Sequence, residues 1–326
     1  ANVGIIFLLF LLGLNLNPKE LIQLAGETTL VTGISSLALL FLGYFYSLLF
    51  GYTQQEALII GAALMFSSTI IGLKLIPTTI LHHQHTGEIM ISVLLMQDII
   101  AIILLLALEG SAQQTFGWMS VGLPLLALPG LVLTTYLIEK YLLIRLIRSF
   151  DRIQEYIFLL AIGWCLGVAE AAEWLGLSYE IGAFIAGVSI ARSPIALFIA
   201  DSLKPLRDFF LIIFFVALGA NFDLSILHQI WVASLGLILL AVLAKPYFYR
   251  LLLRVSKESS GRSTEVAMRL GQMSEFSLLL AVLAAEMDLI RDQVSFLIQF
   301  ATLISFIISS TYVVMKYPTP IALSDR

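Results

Sequence analysis

The chain has 326 residues, 60% of them hydrophobic and only 12% charged, with a formal net charge of -4 and a single cysteine. Soluble globular proteins carry roughly 25% charged residues, so this composition excludes a soluble domain and predicts an all-α polytopic membrane protein. The small net charge gives no sign of a nucleic-acid partner, and the lone Cys165 excludes an internal disulfide.

Eleven apolar segments follow one another, at about 3–16, 28–49, 57–76, 89–109, 117–139, 154–174, 177–192, 208–220, 226–250, 264–286 and 294–315. Most are long enough to cross a hydrocarbon core, which takes roughly 20 helical residues. The first is short and starts at Ala1 without a methionine, which predicts a chain that begins inside a helix; no charged residues precede it as in a signal peptide. If the segments alternate, one set of loops collects nearly all the Lys and Arg, from Lys19 and Lys74 through Arg145, Arg148 and Arg254 to Lys316 and Arg326, while the other set holds only Arg291. The basic set is cytoplasmic by the positive-inside rule, and so lopsided a split supports the segment count. The opposite loops, with Glu56, Glu109, Glu170, Glu173, Asp223, Glu286, Asp288 and Asp292, form a mildly acidic outer face.

Within the third segment, LMFSSTIIGLKLIP places Ser67, Ser68 and Thr69 at mid-span, ahead of Gly72 and Pro77. The fourth holds Asp98, after Gln97, halfway along the stretch from Ile89 to Leu108. At ~1.5 Å per residue that stretch covers roughly 30 Å, so the carboxylate sits near the bilayer centre. An ionised Asp there costs at least about 2.5 kcal/mol. It therefore faces a protein interior or a watery cavity and handles protons or cations, or else stays neutral and bonds a neighbouring helix. The ninth segment holds Lys245 in LILLAVLAKPYFY, either snorkelling to the interface or turned inward, with Pro246 predicting a kink. The tenth, RLGQMSEFSLLLAVL, gathers Gly271, Gln272, Ser274 and Glu275. Small polar clusters at mid-depth mark places where backbone leaves the helix ladder, and the third and tenth segments run in opposite directions, as in an inverted repeat. Glu275, where half-helix ends would meet, is suited to neutralising their dipoles. His82, His83 and His85 crowd the cytoplasmic loop LHHQHTG without a Cys or carboxylate pattern beside them.

The runs MFSSTIIGLKLI, VLLMQDIIAI, LSYEIGAFIAGVSIA, FFLIIFFVALGANFDL and LGQMSEFSLLLAV, in this order, resemble the cation:proton antiporter-2 family, and the Gln-Asp pair is similar to its Kef-type potassium/proton branch. The resemblance covers nearly the whole chain. It implies an NhaA-type fold with inverted repeats and two crossed, partly unwound helices at 57–76 and 264–286. It further implies about two helices before Ala1, interleaved dimerisation and core parts, a homodimer, and a cytoplasmic nucleotide-binding regulatory domain after Lys316. It places the ion site at Asp98 and lets Lys245 pair with that aspartate when no ion is bound. Two departures stand out. The region FIADSLKPLRDFF lacks the acidic signature of glutathione-gated members, and Glu180 replaces a small residue, as an interfacial carboxylate or an accessory cation ligand.

The expected function is secondary antiport, not enzymatic catalysis. Asp98 takes either a proton or a monovalent cation, with Gln97, Ser67, Ser68 or Thr69 and unwound carbonyls as oxygen ligands, while the core rocks between the two faces. No cofactor is expected; potassium or sodium and the proton are the cargo, with potassium favoured by the resemblance alone. The resemblance also suggests a multi-pass protein of a prokaryotic inner membrane. The competing readings are a gated potassium channel, which would need symmetric filter loops, and a sodium-coupled organic-anion symporter, for which Lys245 is the one mid-membrane cationic anchor.

Overall fold

The structure, a computed structural model, describes residues 2–15, 27–75, 85–112, 118–149, 154–175, 177, 179–191, 193, 195–220 and 222–317. Among these it is all-α, with no strand. In chain order the helices are α1 (Asn2–Asn15), α2 (Glu27–Leu49), α3 (Gln54–Met65), α4 (Thr69–Lys74), α5 (His85–Ala112), α6 (Trp118–Ile138) and α7 (Ile144–Ser149). There follow α8 (Gln154–Trp174), α9 (Tyr179–Ile190), α10 (Ala196–Ala220), α11 (Leu227–Leu239), α12 (Lys245–Val255), α13 (Ser260–Arg269), α14 (Glu275–Glu286) and α15 (Asp292–Lys316). Six helical stretches among the described residues are long and apolar enough to cross a membrane, and the protein is an all-α polytopic membrane protein.

The helices follow the apolar segments closely, with three extensions. The segment expected at 208–220 begins at Ala196, so FIADSLKPLRDFF is helical with Pro205 inside α10. Apolarity alone misses such a charged first half. The segment expected at 226–250 runs on to Val255 through a π-helical turn at Leu240–Ala244. That wider turn stands just ahead of Pro246, which has no N–H to continue an ordinary helix ladder. A second π turn, Glu139–Leu143, carries α6 into α7.

The chain divides into two compact units, one of residues 1–21 and 109–222, the other of residues 22–108 and 223–326. In the first, α1 lies against α9 with backbones nearly touching: a Cβ at Gly187 would come 2.1 Å from the Phe10 carbonyl oxygen. Glycine permits this approach because it presents no side chain.

The second unit repeats one order of elements. A long span (α2, then α11–α12) precedes a broken span (α3–α4, then α13–α14) and a further long span (α5, then α15). The two broken spans are antiparallel, because α3 starts at the end where α14 finishes. There Glu56 in the first turn of α3 accepts from Arg291 Nε at 2.6 Å, five residues beyond the end of α14. Helices α2 and α3 meet at Gly43 and Gly61, and a Cβ on Gly61 would lie 2.3 Å from the Leu40 carbonyl oxygen. Gly61→Ala is therefore expected to push two backbones apart at a cost of about 1–3 kcal/mol, read as a lower melting temperature in detergent. Gly33→Ala, whose site has no atom within 4 Å, should melt like the native protein.

Candidate functional site

The chemistry that the sequence concentrates at mid-span meets in the second unit, at the two helix breaks. The first break follows α3: Phe66 is extended (φ -79°, ψ 141°), and the chain turns helical again only at Thr69. Ser68 makes the restart possible, since its hydroxyl accepts from Ile71 N at 3.1 Å as a helix N-cap does. The second break follows α13 and ends at Ser274, which is extended (φ -124°, ψ 158°) and caps α14. The Ser274 N–H donates in turn to Ser277 Oγ at 3.2 Å. Gly271 is required here because a Cβ would lie 2.6 Å from Pro246 Cγ.

Side chains rather than a helix ladder satisfy the freed backbone. Ser67 Oγ donates to the Leu270 carbonyl at 3.0 Å and Ser277 Oγ to the Ala63 carbonyl at 2.6 Å, so each broken helix holds the other. Gln97, on α5, grips the first break from both sides: its Oε1 accepts from Ser67 N and its Nε2 donates to the Met65 carbonyl, each at 2.9 Å. On α15, Ser305 Oγ accepts from Met273 N at 3.1 Å and Ser309 Oγ donates to Gln272 Oε1 at 2.9 Å, serving the second break in the same way. The two halves differ in one respect. Beside Gln97, α5 carries Asp98, whereas hydroxyl side chains do the holding on α15.

Asp98 is 2% exposed. Thr69 Oγ1 approaches its two carboxylate oxygens at 3.3 and 3.4 Å. Glu275, buried in the first turn of α14, lies within electrostatic reach of it. Lys245 is wholly buried, and its amine donates to the Phe66 carbonyl and, at 2.8 Å, to the Gln272 carbonyl. The polar groups thus match the ends they meet. The Lys245 amine rests on carbonyls after the C-terminal ends of α3 and α13, while the carboxyl groups stand near the starts of α4 and α14, where backbone N–H groups point.

Several expectations change against this geometry. Ser67, Ser68 and Gln97 lie beside the site, but the bonds described above tie them to backbone of the breaks; Thr69 is the member of the set that touches Asp98. Freed amides and carbonyls in an apolar interior need partners, and these side chains supply them. Lys245 neither snorkels nor pairs with the aspartate: among the described residues no ion pair joins it to Asp98, because two carbonyls hold its amine. Glu180 belongs to the other unit, in the first turn of α9, and its side chain lies outside what is described. His82 and His83 lie outside the described residues. His85 contacts Glu88 and Glu258, each at 2.9 Å. In the loop before α13, burial works to raise the Glu258 carboxyl, but hydrogen bonds from Arg262 and His85 hold it below its ordinary range.

Sequence reasoning missed Tyr249, whose hydroxyl accepts from Gln97 Nε2, and the pair Ser305 and Ser309. Spacing held the signal: each lies four residues from another polar group, Tyr249 from Lys245 and Ser309 from Ser305, and so shares its helix face.

Two antiparallel broken spans thus hold each other at their breaks, with a buried aspartate and a buried lysine beside them. Residues 1–315 match the family described as sodium/hydrogen exchanger, transmembrane, and the chain belongs to this family of membrane cation/proton antiporters, which are transporters and not enzymes.

Proposed function

We propose that the protein exchanges a monovalent cation for a proton at Asp98, with potassium as the physiological cation. The observation that supports this best is the Asp98 carboxylate, buried at the crossing and facing the Thr69 hydroxyl. Thr69 Oγ1 and the carbonyls of the unwound segments supply the remaining oxygens for a dehydrated cation. Proton and cation exclude one another at one carboxylate, so antiport needs no separate coupling device, and movement of the second unit exposes the site to each face in turn. Gln97 adds no second negative charge, which supports an electroneutral one-for-one exchange.

The preference for potassium, the Kef-type assignment and a prokaryotic inner-membrane location rest on the motif resemblance. So do the homodimer and a cytoplasmic nucleotide-binding regulatory domain. A surface cavity of about 530 Å³ at the acidic end is lined by residues including Thr53, Glu56, Asp288, Arg291 and Asp292.

The test is simultaneous measurement of potassium and proton fluxes in proteoliposomes, repeated with sodium and lithium, with the voltage held at zero by an ionophore for a third ion. Competition at one carboxylate predicts an activity bell-shaped in pH and an apparent cation affinity that weakens as pH falls. Cation flux that continues unchanged when proton counter-movement is blocked would mean a channel.

A further inference from the structure

Tyr249 is fully buried on α12, one turn beyond Lys245, and has no part in the exchange described so far. With Lys245 on the Phe66 carbonyl and Tyr249 on Gln97, this face of α12 reaches the first break twice. The amide of Gln97 is fully committed. Its oxygen takes the Ser67 N–H, and its two N–H groups go to the Met65 carbonyl and the Tyr249 hydroxyl. The Ser67 N–H and the Met65 carbonyl fix which way the amide faces, and the Tyr249 hydroxyl holds the second N–H of its nitrogen from the α12 side. The hydroxyls of Ser35 and Ser67 lie beside Tyr249.

We infer that Tyr249 is a positioning residue for cation affinity and selectivity, locking the Gln97 amide so that the Phe66–Ser68 break holds its oxygens and Thr69 at a fixed spacing beside Asp98. This rests on the exchange reading above. Thr69 follows the break directly, so any loosening at Met65 and Ser67 displaces the hydroxyl that faces the carboxylate. Asp98 itself is untouched by Tyr249, which reaches it only through the break and Thr69.

Tyr249→Phe removes one hydroxyl and keeps the ring. In proteoliposomes it should raise the KM for potassium about five- to tenfold, the scale of one buried neutral hydrogen bond, while the maximal rate stays within about twofold. The ratio of the potassium and sodium KM values should move toward one. A purely structural tyrosine would lower the melting temperature and leave the KM values alone. Action through Gln97 also requires that Tyr249→Phe combined with Gln97→Leu be no worse than Gln97→Leu alone. If Tyr249→Phe does not fold, 3-fluorotyrosine at position 249 keeps ring and hydroxyl but weakens the accepting oxygen, and should raise the potassium KM by about twofold. Unchanged KM values, or penalties that add in the double variant, would overturn the inference. Asp98→Asn measured alongside separates the failures: exchange surviving there defeats the exchange reading and this inference with it, whereas exchange lost there with Tyr249→Phe unaltered defeats the inference alone.

Discussion

Asp98→Asn is expected to give a folded protein whose exchange is slower by at least about a hundredfold, the lower end of what loss of a proton-transfer group costs. The amide matches the carboxyl in volume and can still accept from Thr69 Oγ1, so nothing in the packing around position 98 has to move. It cannot take up a proton at physiological pH, and it brings no charge to balance a cation. The measurement is cation-dependent proton flux in proteoliposomes, with a melting curve on the same preparation to establish folding. Native-rate exchange by Asp98→Asn would remove this residue from the site. Glu275→Gln should be milder, changing apparent cation affinity more than turnover, since Glu275 lies at the start of α14 and acts on Asp98 across space.

Lys245→Ala is expected to lower stability by about 3–5 kcal/mol, because it leaves two buried carbonyls without a donor and opens a cavity where the stem ran. The position of the amine decides what added cation does. A lysine paired with Asp98 would be dispensable once a cation occupied the site, and the variant would recover on adding potassium. A lysine bridging the Phe66 and Gln272 carbonyls remains necessary in both conditions, so the loss should persist with potassium present. Lys245→Met restores most of the volume without the bonds, and should recover part of the stability. A Lys245→Ala protein that melts like the native one, with and without potassium, would show that neither bond matters.

Much of this architecture is legible in the chain itself. Hydrophobic runs of spanning length mark the helices, since a bilayer admits few other structures for a segment without charge. Lys and Arg placement orders their ends. The serine and glycine clusters at 67–72 and 271–277 mark both breaks, because glycine and small hydroxyl residues are what a helix interruption needs to turn and to restart. Asp98 announces itself by the cost of its position.

What each polar side chain does at the crossing was decided by tertiary structure. With the family resemblance, Gln97, Ser67 and Ser68 are expected as ligands of a cation; in the fold they are partners of backbone amides and carbonyls that the breaks set free. The resemblance lets Lys245 pair with Asp98, whereas in the fold carbonyls at two helix ends hold its amine. Tyr249 shares a helix face with Lys245, but the group it meets is decided by Gln97 lying opposite. The physical reason is the same in each case. The sequence determined which groups enter the apolar interior, and a polar group there is costly without a partner; which partner it meets depends on how helices remote in the chain pack, and no local pattern encodes that distance.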